Sequence, residues 1–129
     1  MNPQPHVLLV DDEADLLEIY TLALEELGCA VMTACDGLEG MERARALPPD
    51  LIITDVCMPR LNGLELCHRL RADERLRNIP RILHSSQHAL IPPRGEVFLE
   101  KDGDLSRFTA QVALSLGERW HGPTFASVA

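Results

Sequence analysis

The chain contains 129 residues, of which 46% are hydrophobic and 25% are charged, and 20 acidic against 12 basic residues give a net charge of −8. A chain of this length fits one domain with a buried core, and the composition is too apolar for intrinsic disorder. Because an acidic surface is repelled by phosphate backbones and anionic lipids, we expect no direct binding to nucleic acid or to membranes.

The start of the chain and its cysteines bear on the cellular compartment. The opening residues, MNPQPH, lack the basic and apolar regions of a signal peptide, and no apolar run approaches the ~20 residues that span a bilayer. The four cysteines form no C-x-x-C pair, which argues against a zinc site. We therefore expect a cytoplasmic protein with reduced thiols.

Short apolar runs alternate with stretches of helical spacing, and several of the runs are continuous, as is typical of strands buried on both faces. In chain order the prediction is strand 7–10, helix 15–27, strand 30–34, helix 38–47, strand 51–54, helix 64–71, strand 82–83, strand 97–99 and helix 105–116. This alternation predicts a doubly wound parallel sheet with helices on both faces. We expect one domain over residues 7–117, with an extension at 1–6 and a tail at 118–129.

The connection between the fourth and fifth strands is unusually short. Only ten residues, 87–96, separate Ser86 from Val97, and they include Pro92-Pro93. A complete crossover with its helix needs at least about 10–12 residues. We therefore expect the helix between these two strands to be shortened or absent.

The first helix carries more apolar surface than one core contact needs. Its apolar residues span about 160° of the circumference, against ~100° for an ordinary core stripe, and Leu22 falls outside even that arc. In order around the helix, the arc consists of Ile19, Ala23, Leu16, Leu27, Tyr20, Leu24 and Leu17. One explanation is a helix that is buried on more than one side. The other is that Leu17, Leu22 or Leu24 contacts a partner protein.

Polar residues follow four of the five predicted strands, namely Asp11 and Asp12, Asp55, Ser85 and Lys101. In a parallel sheet these carboxyl ends meet at one edge. Three carboxylates there would repel one another without a cation, and oxygen ligands without His or Cys suit Mg²⁺. Because Mg²⁺ and an ammonium group can neutralise the charge that develops when a carboxylate attacks phosphorus, the set is complete for forming an acyl phosphate.

Each of these features has a simpler explanation when it stands alone. Adjacent acids such as Asp11-Asp12 often begin a solvated helix, and an aspartate after a strand can cap the next turn. Ser85 would be an ordinary loop residue and Lys101 a surface charge. The ordered combination of all of them favours a functional site.

In this order, LLVDDE at 8–13, TDVCMP at 54–59, Asn62-Gly63, Ser85 and Lys101 resemble the receiver domains of two-component response regulators. The resemblance covers roughly residues 7–116. We therefore expect a flavodoxin-like fold with a five-stranded parallel sheet in the order 2-1-3-4-5.

The resemblance implies that Asp55 accepts the phosphoryl group. It also implies that Asp12 ligates Mg²⁺ directly, that Asp11 does so through water, and that the backbone carbonyl of Cys57 completes the protein ligands of the metal. The phosphodonor would be a sensor histidine kinase or a histidine phosphotransfer protein, and the output protein is unassigned.

By the same resemblance, Lys101 would bind a phosphoryl oxygen and the hydroxyl of Ser85 would move to the phosphoryl group. Phe98 would be the aromatic switch residue, or simply a core residue. The family usually has a cis proline after this lysine, whereas Asp102 follows here. A non-proline cis bond costs ~3–4 kcal/mol, so we expect a trans bond and a rearranged loop.

Three other functions are compatible with parts of the pattern. A haloacid-dehalogenase type of phosphatase also uses an aspartyl nucleophile, but its D-x-D motif is missing and the chain has no room for a cap domain. A phosphorylation-independent docking module and an N-terminal fragment of a larger regulator stay open. We expect no enzyme activity beyond self-phosphorylation and self-dephosphorylation.

Overall fold

The computed structural model describes residues 4–86 and 96–117. In chain order the elements are β1 (His6–Val10), α1 (Ala14–Glu26), β2 (Ala30–Ala34), α2 (Gly37–Ala46), β3 (Leu51–Thr54), α3 (Gly63–Ala72), β4 (Arg81–Ser85), β5 (Glu96–Glu100) and α4 (Leu105–Leu116). The five strands form one parallel sheet in the order β2-β1-β3-β4-β5. The doubly wound, flavodoxin-like prediction is confirmed.

The predicted loss of the helix between β4 and β5 falls on residues 87–95, which lie outside the described residues, so it stays a prediction. Among the residues that are described, no cis peptide bond occurs, and the bond between Lys101 and Asp102 is trans as expected. No helix in the described ranges is long and apolar enough to cross a membrane.

The core has two sides because neighbouring residues of a strand point to opposite faces of the sheet. Val7 and Leu9 of β1 pack in a cluster with α1 and α4, while Leu8 and Val10 pack in a second cluster with α2 and α3. All four side chains are buried. Burial on both faces explains why the strand reads as a continuous apolar run.

Helix α1 divides its apolar residues between the core and the surface. Leu24 is fully buried, so the hypothesis that it contacts a partner is wrong. Leu22 is 58% exposed and Ile19 is 47% exposed, although Ile19 belongs to the apolar arc. The excess apolar width of the helix therefore lies partly at the surface.

Strands β4 and β5 are joined by a buried ion pair at their N-terminal ends. Arg81 and Glu96 are register partners, and Arg81 Nε lies 2.7 Å from Glu96 Oε1. Arg81 also donates to the carbonyl oxygens of Arg77 and Ile79 at 3.1 and 2.9 Å. Because both side chains are almost fully buried, this pairing helps to specify the register of an edge strand.

His84 of β4 lies in an aromatic cluster on the α1 and α4 side of the sheet. Its ring centroid is 4.7 Å from that of Tyr20 and 5.2 Å from that of Phe108. Burial, helped by the positive charge of Lys101, lowers the pKa of His84 to about 4. The imidazole is therefore neutral at physiological pH.

The buried imidazole predicts an acid-sensitive fold. The pKa of His84 is about 4 in the folded chain against 6.5 as its ordinary value. As the pH falls, His84 is therefore protonated in the unfolded chain before it is protonated in the folded chain. The free energy of unfolding that comes from keeping His84 neutral is complete above pH 6.5 and is lost as the pH falls towards 4. The loss is on the order of 3 kcal/mol. His84→Phe should flatten the free energy of unfolding between pH 6.5 and 4, whereas parallel curves for variant and wild type would contradict this.

Candidate functional site

The carboxyl edge of the sheet brings three predicted carboxylates together. Oxygen atoms of Asp11, Asp12 and Asp55 all lie within 4.8 Å of one another. Asp11 and Asp55 are 3% and 7% exposed, whereas Asp12 is exposed. The cluster is therefore closed towards the sheet and open towards solvent on the side of Asp12.

Backbone hydrogen bonds at the strand ends place these carboxylates. The Asp11 N–H donates to the Ala34 carbonyl at 3.0 Å, and the Asp55 N–H donates to the Val10 carbonyl at 2.9 Å. One carboxylate oxygen of Asp55 accepts from the Val56 N–H at 2.8 Å. The side chain that is predicted to react is thus held by the sheet and by the residue that follows it.

Lys101 enters the same cluster from the end of β5. Its Nζ lies 2.6 Å from Asp11 Oδ2 and 3.4 Å from Asp55 Oδ2, and its side chain is only 8% exposed. Burial alone would lower the pKa of Lys101. The hydrogen bond and charge of Asp11, together with Asp55, outweigh burial and raise the pKa, so the ammonium group stays charged.

Asp55 itself is in an environment that disfavours its ionised form. Burial raises its pKa, the charge of Lys101 opposes that change, and the negative charge of Asp11 adds to it. An additional cation beside Asp55 would shift the balance towards the carboxylate, which is the form that attacks phosphorus.

Ser85 ends β4 next to the cluster, and Phe98 is farther back on β5. The carbonyl of Ser85 accepts from the Lys101 N–H at 2.8 Å, and the residue is almost fully buried. Phe98 is the register partner of Leu83 and packs with Val56 on the α3 side of the sheet. Ser85 therefore adjoins the cluster, whereas Phe98 is a half-buried residue beside it.

The loop between β3 and α3 begins at Asp55 and carries Cys57. At its far end the Asn62 side chain caps α3 by accepting from the Glu65 N–H at 2.9 Å. The Gly63 N–H donates to the Val56 carbonyl at 2.9 Å. A Cβ on Gly63 would lie 2.0 Å from the Asp55 carbonyl oxygen, so only glycine allows this close approach.

One pair of residues near the site was not found by sequence reasoning. Arg60, in the same loop, forms an ion pair with Asp36, the residue that caps α2. Arg60 has a left-handed backbone with φ 66°, which costs a non-glycine residue roughly 1–2 kcal/mol. The two residues are 24 positions apart in the chain, and no sequence signal joins Asp36 to Arg60.

The charge of the cluster fits a divalent cation. Three carboxylates and one ammonium group leave two negative charges when all are ionised. Oxygen donors at this spacing, without a His or Cys ligand among the residues that the structure describes at the cluster, match the preference of Mg²⁺. The donor chemistry of the cluster therefore fits a hard divalent cation such as Mg²⁺.

Several curated proteins are similar to this chain in sequence. The hybrid signal transduction histidine kinase D of Dictyostelium discoideum is 44% identical over 83 residues, which make up 64% of this chain and 5% of the kinase. Protein PilG of Pseudomonas aeruginosa is 26% identical over 122 residues, or 95% of this chain and 90% of PilG. The chain spans 32% of the DNA-binding transcriptional regulator RpaA of Synechocystis, so it corresponds to a part of several longer relatives.

Solved structures show the same fold. The signal receiver domain of a histidine kinase from Syntrophus aciditrophicus superposes with a TM-score of 0.79 at 28% identity, covering 93% of this chain and 96% of that one. Chemotaxis protein CheY4 of Vibrio cholerae gives a TM-score of 0.80 at 23% identity, covering 88% and 99%. Residues 7–112 match the family model described as the response regulator receiver domain. This chain therefore belongs to the response regulator receiver domain family.

Proposed function

We propose that this receiver accepts a phosphoryl group on Asp55 from a phosphohistidine and transmits a signal through the change in shape that follows. The observation that carries the proposal is the meeting of Asp11, Asp12, Asp55 and Lys101 at one sheet edge. Four ionisable side chains from three strand ends meet there, whereas a solvated acidic surface would not need a nearly buried lysine.

The transfer would join a carboxylate oxygen of Asp55 to phosphorus while the bond between phosphorus and the donor imidazole nitrogen breaks. The nitrogen keeps the electron pair of that bond and takes up a proton. The Asp55 carboxylate becomes an acyl phosphate, in which the negative charge lies on the phosphoryl oxygens. Lys101 Nζ, 3.4 Å from Asp55 Oδ2, is close enough to contact a transferred phosphoryl oxygen after a small movement.

Asp11, Asp12, Asp55 and the carbonyl of Cys57 would hold Mg²⁺. When bound, the ion supplies positive charge that offsets repulsion between the carboxylates and the incoming phosphoryl group. The nearly buried Asp11 also keeps Lys101 in place through their 2.6 Å contact. We assign Ser85 and Phe98 to the conformational readout, with Ser85 nearer to the reacting group.

The direct test is phosphorylation by acetyl phosphate. Wild type should gain the mass of one phosphoryl group in the presence of Mg²⁺ and not in its absence, as measured by intact mass spectrometry. Asp55→Asn should gain none, whereas Glu42→Gln on the exposed surface of α2 should behave as wild type. A Mg²⁺-dependent adduct on Asp55→Asn would contradict the assignment, and no adduct on wild type would favour a phosphorylation-independent docking module.

For the protein phosphodonor, we propose docking on the exposed side of α1. A groove of about 530 Å³ between α1 and α4 is lined by Ile19, Leu22 and Leu105, each 42–58% exposed. Helix α1 contains Asp15, Glu18, Glu25 and Glu26 and no basic residue. An amphipathic helical surface with basic margins, on a histidine kinase or a histidine phosphotransfer protein, would complement it.

Leu22→Glu should separate protein docking from phosphoryl chemistry. The rate of transfer from a phosphorylated histidine phosphotransfer protein should fall about tenfold or more, because a buried charge replaces an apolar contact. The reaction with acetyl phosphate should be unchanged. Leu114→Glu, which alters a leucine that is 76% exposed on α4, is the matched control. Unchanged protein transfer in both Leu22→Glu and Leu17→Glu would overturn the docking assignment.

We place the functional domain at the expected residues 7–117, extended by one residue because β1 begins at His6, with the segments 1–5 and 118–129 outside it. We place the protein in the cytoplasm with its phosphodonor. We propose that it acts on no separate substrate. Steady hydrolysis of a phosphomonoester by the purified chain would contradict that and revive the phosphatase alternative.

A further inference from the structure

Arg60 has a left-handed backbone conformation, which is uncommon for a residue with a Cβ. Its φ of 66° lies in the left-handed region, and within residues 4–86 and 96–117 it is the sole non-glycine residue with a positive φ. Arginine has a Cβ that crowds the backbone there, and a glycine or asparagine would fit with less strain. Arginine therefore occupies a position whose backbone geometry favours glycine or asparagine.

The Arg60 side chain is held by an ion pair with Asp36. The guanidinium group of Arg60 donates to Asp36 Oδ2, and Asp36 Oδ1 accepts from the Glu39 N–H at 2.9 Å. The hydrogen bond from Glu39 and the ion pair with Arg60 lower the pKa of Asp36. The Asp36 side chain is 4% exposed whereas that of Arg60 is 60% exposed, so the loop residue reaches inward to a carboxylate that is fixed by α2.

A second contact beside the ion pair ties the same two loops together. The Gly37 N–H donates to the Leu61 carbonyl at 3.1 Å. A Cβ on Gly37 would lie 2.2 Å from that oxygen, so the backbones approach as closely as they can. The two loops leave β2 and β3, which are not neighbours in the sheet, because β1 lies between them. The contact therefore spans the end of β1, where Asp11 and Asp12 are located.

The loop that Arg60 anchors is the one that carries the proposed carbonyl ligand. Its base is closed by the hydrogen bond from Gly63 to Val56, and Cys57 lies between that base and Arg60. Cys57 is exposed and belongs to none of the core clusters, whereas its neighbour Met58 packs against the core on the α2 and α3 side and Leu61 is buried there. The orientation of the Cys57 carbonyl therefore depends on the base of the loop, on these two apolar contacts and on the polar contacts at its tip.

We propose that the ion pair between Arg60 and Asp36 is a positioning device, which holds the β3–α3 loop so that the Cys57 carbonyl faces the carboxylate cluster. The inference rests on the proposed function, because it concerns the affinity of the cluster for Mg²⁺. Arg60 is a positioning residue here and touches no reacting atom. Outer contacts of this kind commonly change metal affinity by about 10- to 100-fold when they are removed.

The test measures metal affinity without phosphorylation. Mg²⁺ and Mn²⁺ are titrated into unphosphorylated wild type and variants by calorimetry, and urea unfolding of each protein is recorded without metal. Arg60→Asn suits the left-handed backbone and removes the charge, so relief of strain offsets the lost ion pair in stability. We expect about tenfold weaker metal binding with a nearly unchanged unfolding midpoint.

Two further variants and one control separate positioning from folding. Asp36→Asn keeps the acceptor for the Glu39 N–H and should weaken metal binding similarly, while Arg60→Lys restores a positive charge and should recover most of the affinity. Arg45→Ala removes an arginine that is equally exposed, at 60%, from an ion pair with Asp73 and should bind metal as wild type does.

Three outcomes of these measurements would overturn the positioning role. Metal affinities of Arg60→Asn and Asp36→Asn equal to that of wild type would overturn the positioning role and leave the proposed function intact. Affinity lost only together with stability, and not recovered by Arg60→Lys, would also overturn it. A wild type that binds neither ion would refute the magnesium site itself, and the positioning role with it.

Discussion

Lys101→Met should slow the phosphorylation of Asp55 by acetyl phosphate by about 100- to 1,000-fold, the usual effect of removing one preorganised donor to a developing anion. The ammonium group is 2.6 Å from Asp11 and 3.4 Å from Asp55. Its position is nearly buried, so solvent cations would not readily take its place in the variant. Its loss would also remove the influence that opposes burial at Asp55, so the pKa of Asp55 should rise further.

The rate of adduct formation, followed by intact mass at saturating Mg²⁺, measures this effect. Lys101→Arg keeps a positive charge with a different shape and should retain part of the rate. Because removing a positive charge makes the carboxylate cluster more negative, the affinity of Lys101→Met for Mg²⁺ should be equal to or higher than that of wild type. A slow rate accompanied by weakened metal binding would indicate a damaged site, and it would contradict a specific role in transfer.

Arg81→Ala should destabilise the chain by about 3–5 kcal/mol, because it would leave the Glu96 carboxylate buried without its nearest cation. The Glu96 side chain is 0% exposed, and Arg71, the other cation beside it, lies at 3.8 Å against 2.7 Å for Arg81. The change also removes two hydrogen bonds that Arg81 donates to the carbonyls of Arg77 and Ile79, in the segment before β4. Urea unfolding at neutral pH measures the loss.

A second variant tests whether the cost comes from an uncompensated charge. Arg81→Met combined with Glu96→Met replaces the pair by apolar side chains and should recover most of the stability, as buried ion pairs are often replaced without loss. Arg45→Ala, which breaks an exposed pair at 3.6 Å, should change stability by only about 0–1 kcal/mol. If the single and double replacements of the buried pair were equally destabilising, lost packing would be the cause and not the unpaired carboxylate.

The predicted fourth strand is shorter than the observed one because polar residues flank its apolar run. The fourth strand was predicted over 82–83, whereas β4 covers Arg81–Ser85. Arg81 and His84 look like surface residues until their partners are known, namely the Glu96 carboxylate and the rings of Tyr20 and Phe108. A buried polar group is acceptable only when distant residues satisfy it, and one-dimensional periodicity contains no record of those residues.

The apolar pattern of α1 shows a similar limit. The arc of apolar residues did not distinguish Leu24, which is in the core, from Ile19, which is half exposed. A helix that packs against a sheet on one side and another helix on a second side has no single buried stripe. Which residues of α1 face solvent depends on how the helix packs against α4 and the sheet.

The order of strands and helices, the doubly wound sheet and the residues at its carboxyl edge were determined by the sequence itself. Continuous apolar runs specify buried parallel strands, and a parallel sheet must bring the ends of those strands to one edge, so Asp11, Asp55 and Lys101 had to meet. Only the tertiary structure decided how Lys101 divides its contacts, that His84 is a neutral buried ring, and that Arg60 reaches Asp36 across the end of β1. These features depend on contacts between residues far apart in the chain, whose energies are set by distance and burial and leave no local pattern.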